Sequence, residues 1–153
     1  MEYEVKTLDE FSVVGFPLRA DNSEEGIEKI AEHWRKFREE KLMDKIPNKT
    51  KDKEIIGLYT HYEGDGSKPF TLIAGAKVTG LKAVPTNMTA RNIPSQKYAV
   101  FTVNGKMPQS LIDTWKAISK SDIKRTYLAD FEVYKDGSPG LDGEVEIYVG
   151  IEV

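Results

Sequence analysis

Residues 126–134, TYLADFEVY, and 144–153, EVEIYVGIEV, are the two strands of a hairpin, and reading them decides the fold. In the second, Val145, Ile147, Val149, Ile151 and Val153 alternate with Glu144, Glu146, Tyr148, Gly150 and Glu152, the period-two pattern of a strand with one buried face. Asp136-Gly137, with Pro139 and Gly140 behind it, supplies the turn. Upstream, residues 108–120 bring Leu111, Ile112, Trp115 and Ile118 to helical spacing. Pro108 suits the first helical turn, where its missing N–H has no partner to lose. Residues 98–103 are apolar enough for a strand. The unit therefore reads strand, helix with one central Trp, strand, strand.

The first half of the chain carries the same unit. Residues 11–17 read as a strand, 24–42 as a helix, 54–62 as a strand, Gly64-Asp65-Gly66 as a turn and 71–79 as a strand. In that helix Ile27, Ile30, Ala31, Trp34, Phe37 and Lys41 or Leu42 fall on one stripe, with His33 on the polar side. Ser23 is the expected N-cap, with Glu24 and Glu25 in the first turn, where unpaired amides favour carboxylates. The connection, residues 80–96, contains Pro85 and Pro94 and room for one further strand at 89–93. The expected fold is α+β: an internal duplication of a strand-helix-strand-strand unit, with antiparallel sheets and two main helices flanking a central cleft. It is one domain over 1–153, with repeat one at about 1–80 and repeat two at about 85–153.

A chain of 153 residues buries roughly 70% of its unfolded surface, enough for a sizeable core. No long apolar run, leader pattern or Cys is present, so the expectation is a cytoplasmic chain with no membrane span, disulfide or thiolate metal site. A net charge of −3 argues against a broad nucleic-acid-binding surface. Phosphate-cradling glycine patterns and zinc-ligand spacings are lacking, and no cofactor is implied. His33 and His61 have no partner His or Cys at ligand spacing, so no metal is expected.

Chemistry concentrates in 126–134. Alternation puts Tyr127, Ala129, Phe131 and Val133 on a core face, and Leu128, Asp130, Glu132 and Tyr134 on the other. On spacing alone, that second face meets either water, the commoner outcome, or a cavity. Within a cavity, a partly desolvated Glu132 among Tyr and Trp favours a flat, apolar cation through charge, stacking and cation–π contact. Trp34 and Trp115 lie on apolar stripes and read first as core, although the inner helix faces also form cleft walls. Tyr59, Tyr98 and Tyr148 sit on strands from which a phenol could reach the same cleft.

Tyr98-Ala99-Val100-Phe101, Asp130-Phe131-Glu132-Val133-Tyr134 and Glu146-Ile147-Tyr148-Val149-Gly150-Ile151, in this order, resemble the three hallmark stretches of GyrI-like small-molecule-binding domains, and the resemblance spans essentially the whole chain. That family includes effector-binding modules of AraC-type and MerR-type transcription regulators, stand-alone gyrase-inhibitor-like proteins and drug-binding proteins. The resemblance implies that Glu132 sits in the pocket and pairs with lipophilic, cationic ligands. It implies a pocket wall drawn from Tyr134, Trp115, Tyr98, Tyr59, Tyr148 and Trp34, with Gly15 and Gly57 structural. The function implied is sensing or sequestration of a small aromatic ligand linked to transcription regulation, without direct nucleic-acid binding, in a monomer or dimer. Two alternatives stand beside it. One is hydrolysis of strained electrophilic genotoxins, with Glu132 as base and Tyr134 or Tyr98 as hydrogen-bond donor. The other is binding to a protein partner, gyrase or a transcription regulator.

Overall fold

The computed structural model describes residues 2–135 and 142–152, so the expected turn through Asp136, Gly137, Pro139 and Gly140 lies outside the described residues. The elements run β1 (Glu4–Leu8), β2 (Phe11–Ala20), α1 (Glu24–Glu39), β3 (Ile55–Thr60), β4 (Phe70–Val78), β5 (Thr89–Ile93), β6 (Gln96–Val103), α2 (Gln109–Lys120), β7 (Arg125–Tyr134) and β8 (Val145–Ile151), with a 3-10 turn at Leu42–Lys45. The fold is α+β, with all eight strands in one antiparallel sheet ordered β1-β6-β8-β7-β3-β4-β2-β5. Ser23 caps α1 as expected, its Oγ accepting from the Gly26 amide at 3.1 Å.

The order is palindromic: exchanging β1 with β5, β2 with β6, β3 with β7 and β4 with β8 reproduces it. The duplication therefore has an approximate twofold axis between β3 and β7, where Gly57 pairs with Glu132. Each half gains one strand over the expected unit. β5 occupies the span left open for it. β1 was not expected, because its side chains are almost all exposed and carry little apolar signal. These two edge strands are exchanged, β1 pairing with β6 of the other half and β5 with β2.

Connection lengths dictate the shape of the sheet. Only Pro94 and Ser95 separate β5 from β6, yet six strand spacings lie between them in the sheet, about 29 Å if flat. Two linking residues reach at most about 11 Å. The sheet must therefore roll. Opposed glycines ease the bend, since a Cβ on Gly15 would lie 2.3 Å from the Ala74 carbonyl oxygen and one on Gly75 2.0 Å from that of Val14.

The inward face closes on itself without a helix. Val13, Ile56, Leu58, Ile73, Tyr98, Val100, Ala129, Phe131 and Val133 pack there, and Phe131 stacks on Tyr148 with centroids 4.4 Å apart. Both helices lie on the outward face, where Trp34, Phe37 and Ile118 meet Leu72, Ala74, Phe101, Ile147 and Val149. On α1 the buried stripe is rotated from the expected one: Ile27 is exposed and His33 is buried. His33 stacks on Phe16 at 4.3 Å, its Nε2–H donating to the Phe16 carbonyl at 2.8 Å. Burial chiefly holds the His33 pKa below the usual imidazole value.

Phe131→Ala is expected to cost about 3–5 kcal/mol in urea unfolding, since it empties the middle of the inward face. Leu128→Ala, on the same strand but 48% exposed, is expected to stay within about 0.5 kcal/mol. Equal effects would contradict the rolled packing.

Candidate ligand-binding site

Glu132 lies near the middle of the sheet, between Gly57 on β3 and Ile147 on β8. Alternation along β7 points it, with Asp130 and Tyr134, to the helix side. Its side chain is 1% exposed and takes three hydrogen bonds. Tyr134 Oη donates to Oε1 at 2.6 Å, while Trp115 Nε1 and Tyr59 Oη donate to Oε2 at 2.7 and 3.2 Å. Two edge-to-face ring pairs enclose it, Trp34 with Tyr134 at 5.4 Å and Tyr59 with Trp115 at 5.6 Å. Gly57 makes room, because a Cβ there would lie 2.9 Å from Trp34 Cζ2 and 3.1 Å from Glu132 Oε1.

Every donor to Glu132 is neutral, and among the described residues no Lys or Arg pairs with it. Burial raises its pKa above the usual carboxylate value; the bonds from Tyr134, Trp115 and Tyr59 work in the opposite direction without cancelling it. The same burial, with the Glu132 charge next, drives the Tyr59 and Tyr134 phenols well above their usual range, so both remain protonated donors.

A second buried carboxylate sits two residues away. Asp130 is 0% exposed and accepts from Arg125 Nη2 at 2.6 Å, Tyr62 Oη at 2.5 Å and the Gly150 amide at 2.8 Å. Arg125 in turn lies over the Tyr127 ring, 4.4 Å from its centroid. Tyr127 joins this cluster instead of the core face expected for it, because β7 bulges between Arg125 and Asp130 and Tyr127 takes φ 54°.

Of the residues expected at the pocket, the structure brings together Glu132, Tyr134, Tyr59, Trp115 and Trp34. Tyr98 and Tyr148 point the other way, into the inward face, where they flank Phe131. The cause is strand alternation: Ala99, Phe101 and Val103 claim the helix side of β6, while Ile147 and Val149 claim that of β8. Burial pushes both phenols up to about 12. Of the trio expected for hydrolysis, Glu132 and Tyr134 therefore meet and Tyr98 does not. At the seam where the central cleft was expected, Trp115 and Tyr59 cover Glu132. An outer groove between α1 and β2, lined by Phe16, His33 and Lys36, is separate from these residues. Sequence reading missed Tyr62 and Arg125; the available signal was Asp130 itself, a carboxylate on a central strand that demands a partner when buried.

Residues 4–151 match the family described as integron-associated effector binding protein, Cass2. The chain is 29% identical over 151 residues to a protein of Bacillus subtilis (strain 168) named as the putative transcriptional regulator protein YobU, covering 95% of this chain and 94% of that one. A Vibrio cholerae integron cassette protein is 30% identical, with a TM-score of 0.76 over 98% of this chain and 95% of its own. SAV2435, solved bound to tetraphenylphosphonium, shares the fold at TM-score 0.80 and 20% identity, over 99% of this chain and 94% of its own. Among the described residues, no helix is long and apolar enough to cross a membrane.

Glu132→Gln fits the same bonds: the amide oxygen stays with Trp115 and Tyr59, and the Tyr134 hydroxyl reverses to accept from the amide NH2. A raised carboxylate pKa means that the folded state binds the proton more tightly than the unfolded one, so the charge destabilises the fold above that pKa and the penalty vanishes below the ordinary value of 4.5. Glu132→Gln is therefore expected to melt higher than wild type at pH 7, with the gap closing as pH falls toward 4.5. A lower Tm for Glu132→Gln at pH 7 would contradict this.

Proposed function

The chain belongs to the family of integron-associated effector-binding proteins, and from that premise we propose that it captures a lipophilic aromatic cation at Glu132, for sensing or sequestration linked to transcription regulation. One observation carries the proposal: a carboxylate sealed from water, held among the described residues by phenol and indole donors alone and ringed by Trp34, Tyr59, Trp115 and Tyr134. Those donors orient the charge without neutralising it, so a cation brings the one interaction that they do not supply. The rings offer π-faces to the same charge. The tetraphenylphosphonium held by SAV2435 and the regulator name of the Bacillus relative support the reading.

Access runs through Trp115. Its indole bond to Glu132 yields as the ligand's charge arrives, and α2, which carries it, is the loosely held wall. Only Ile118 is fully buried on α2, whereas α1 buries Gly26, His33, Trp34 and Phe37. The ligand enters between α2 and β3, displacing Trp115 and Tyr59 from the carboxylate while Trp34 and Tyr134 stay as the fixed wall.

Tetraphenylphosphonium and tetraphenylborate, alike in shape and opposite in charge, provide the test in a titration followed by tryptophan emission. Wild type is expected to bind the phosphonium and not the borate, and Glu132→Gln to lose about tenfold to a hundredfold in phosphonium affinity, the value of a charged contact in a partly desolvated site. Equal binding of both ions, or an unchanged affinity in Glu132→Gln, would remove Glu132 as the determinant.

A further inference from the structure

Asp130 and Glu132 stand about 6.6 Å apart along β7 on one face of the strand. Both are sealed from solvent, at 0% and 1% exposure, but they are balanced differently. Glu132 has three neutral donors. Asp130 has an ion pair, Arg125 Nη2 at 2.6 Å, with both side chains almost fully buried. Trp115 joins the two sites. Its Nε1 bonds Glu132, while its ring centroid lies 5.8 Å from Arg125 Cζ, so the internal guanidinium and the free carboxylate share one indole.

Several features hold Arg125 in place. Pairing passes from Arg125 opposite Ile151 to Asp130 opposite Val149, five steps along β7 against two along β8, and this bulge carries the guanidinium back over Asp130. The bulge keeps Tyr127 at φ 54°, a backbone region that bulky residues rarely occupy. It is fastened by Thr126 Oγ1 donating to Gln96 Oε1 at 2.7 Å and by Gln96 Nε2 donating to the Ala129 carbonyl at 3.1 Å. The Nε–H of Arg125 is buried without an acceptor, so the guanidinium is placed for its charge on Asp130 and not to fill its donor set. Although burial works against that charge, Asp130 raises the Arg125 pKa, and the group stays cationic.

We propose that Arg125 is a built-in cation that determines ligand charge: by neutralising Asp130 it leaves Glu132 as the one carboxylate open to pairing, and the site selects monocations over dications. This specificity role rests on the reading of Glu132 as a cation site. Without the guanidinium the same face of β7 would present two carboxylates side by side, and a flat dication with charges a few ångströms apart would match them. A dication brought to the wild-type site finds Asp130 already paired with Arg125, so its second charge must leave water without a carboxylate to receive it.

N-methyl-4-phenylpyridinium and N,N′-dimethyl-4,4′-bipyridinium, nearly identical in shape and differing by one charge, test this by calorimetric titration of wild type, Arg125→Gln and the double variant Arg125→Gln with Asp130→Asn. Wild type is expected to favour the monocation. Arg125→Gln should shift the affinity ratio toward the dication by about tenfold or more, and adding Asp130→Asn should reverse that shift. Asp130→Asn alone keeps the side-chain shape and frees the Arg125 charge, so it should weaken the monocation by about tenfold. This arm decides the matter if Arg125→Gln does not fold. An unchanged ratio in folded Arg125→Gln, a shift that survives Asp130→Asn, or an unweakened monocation in Asp130→Asn would overturn the role of Arg125 while leaving Glu132 standing. Wild type that binds neither pyridinium nor tetraphenylphosphonium would overturn the Glu132 reading, and this inference with it.

Discussion

Desolvation of the Glu132 carboxylate is the constraint around which the helix side of the sheet is arranged. Taking an ionised carboxylate out of water costs several kcal/mol unless a counter-charge or a full set of hydrogen bonds replaces the solvent. The described residues supply three hydrogen bonds and no counter-charge, and burial still outweighs those bonds in setting the pKa. Tyr59, Tyr134 and Trp115 are suited to that incomplete compensation. Each donates one N–H or O–H, each presents a π-face, and none carries charge. A Lys or Arg at any of these positions would satisfy Glu132 and leave nothing for a ligand. That this is a choice of partner and not a shortage of cations is plain at Asp130, where the same strand pairs its other buried carboxylate with Arg125.

Much of this could be read from the sequence. The duplication, the two Trp-bearing helices and the hairpin at the end follow from periodicity alone, because the buried faces are long and uninterrupted. β8 alternates cleanly, with Val145, Ile147 and Val149 sharing the helix side, but Tyr148 on the opposite face is buried too, so the strand has two core faces where one was expected. What escaped depended on long-range geometry. β1 has almost no buried side chain, so an edge strand of that kind leaves no pattern to detect. Tyr98 and Tyr148 alternate correctly, but alternation gives two faces without saying which one meets the helices, and the roll of the sheet makes both faces core. Tyr127 was misplaced for another reason: a bulge adds residues on one strand only and breaks the period on which the assignment depends. His33 reads as polar and is buried, because its ring stacks on Phe16 and its N–H donates to the carbonyl of that same residue, seventeen positions away in the chain.

The twofold arrangement explains why a duplicated fold carries one central acid and not two. Setting Gly57-Leu58-Tyr59 over Glu132-Val133-Tyr134 makes Tyr59 the counterpart of Tyr134, and both donate to the same carboxylate. Gly57 is then the counterpart of Glu132 and also its cross-strand partner. At a symmetry axis, equivalent residues become neighbours, so a strict repeat would place two carboxylates side by side in a site without water. Like charges at that separation cannot both ionise, and one would hold a proton. Replacing one of the pair with glycine removes the conflict and vacates the space that the Glu132 oxygen and the Trp34 ring share. The surrounding aromatic residues keep the twofold pattern, because neutral donors from both halves can converge on one acceptor. Symmetry therefore builds the cage and its breaking supplies the charge, which is why the buried carboxylate sits at the seam between repeats, where neither half could enclose it alone.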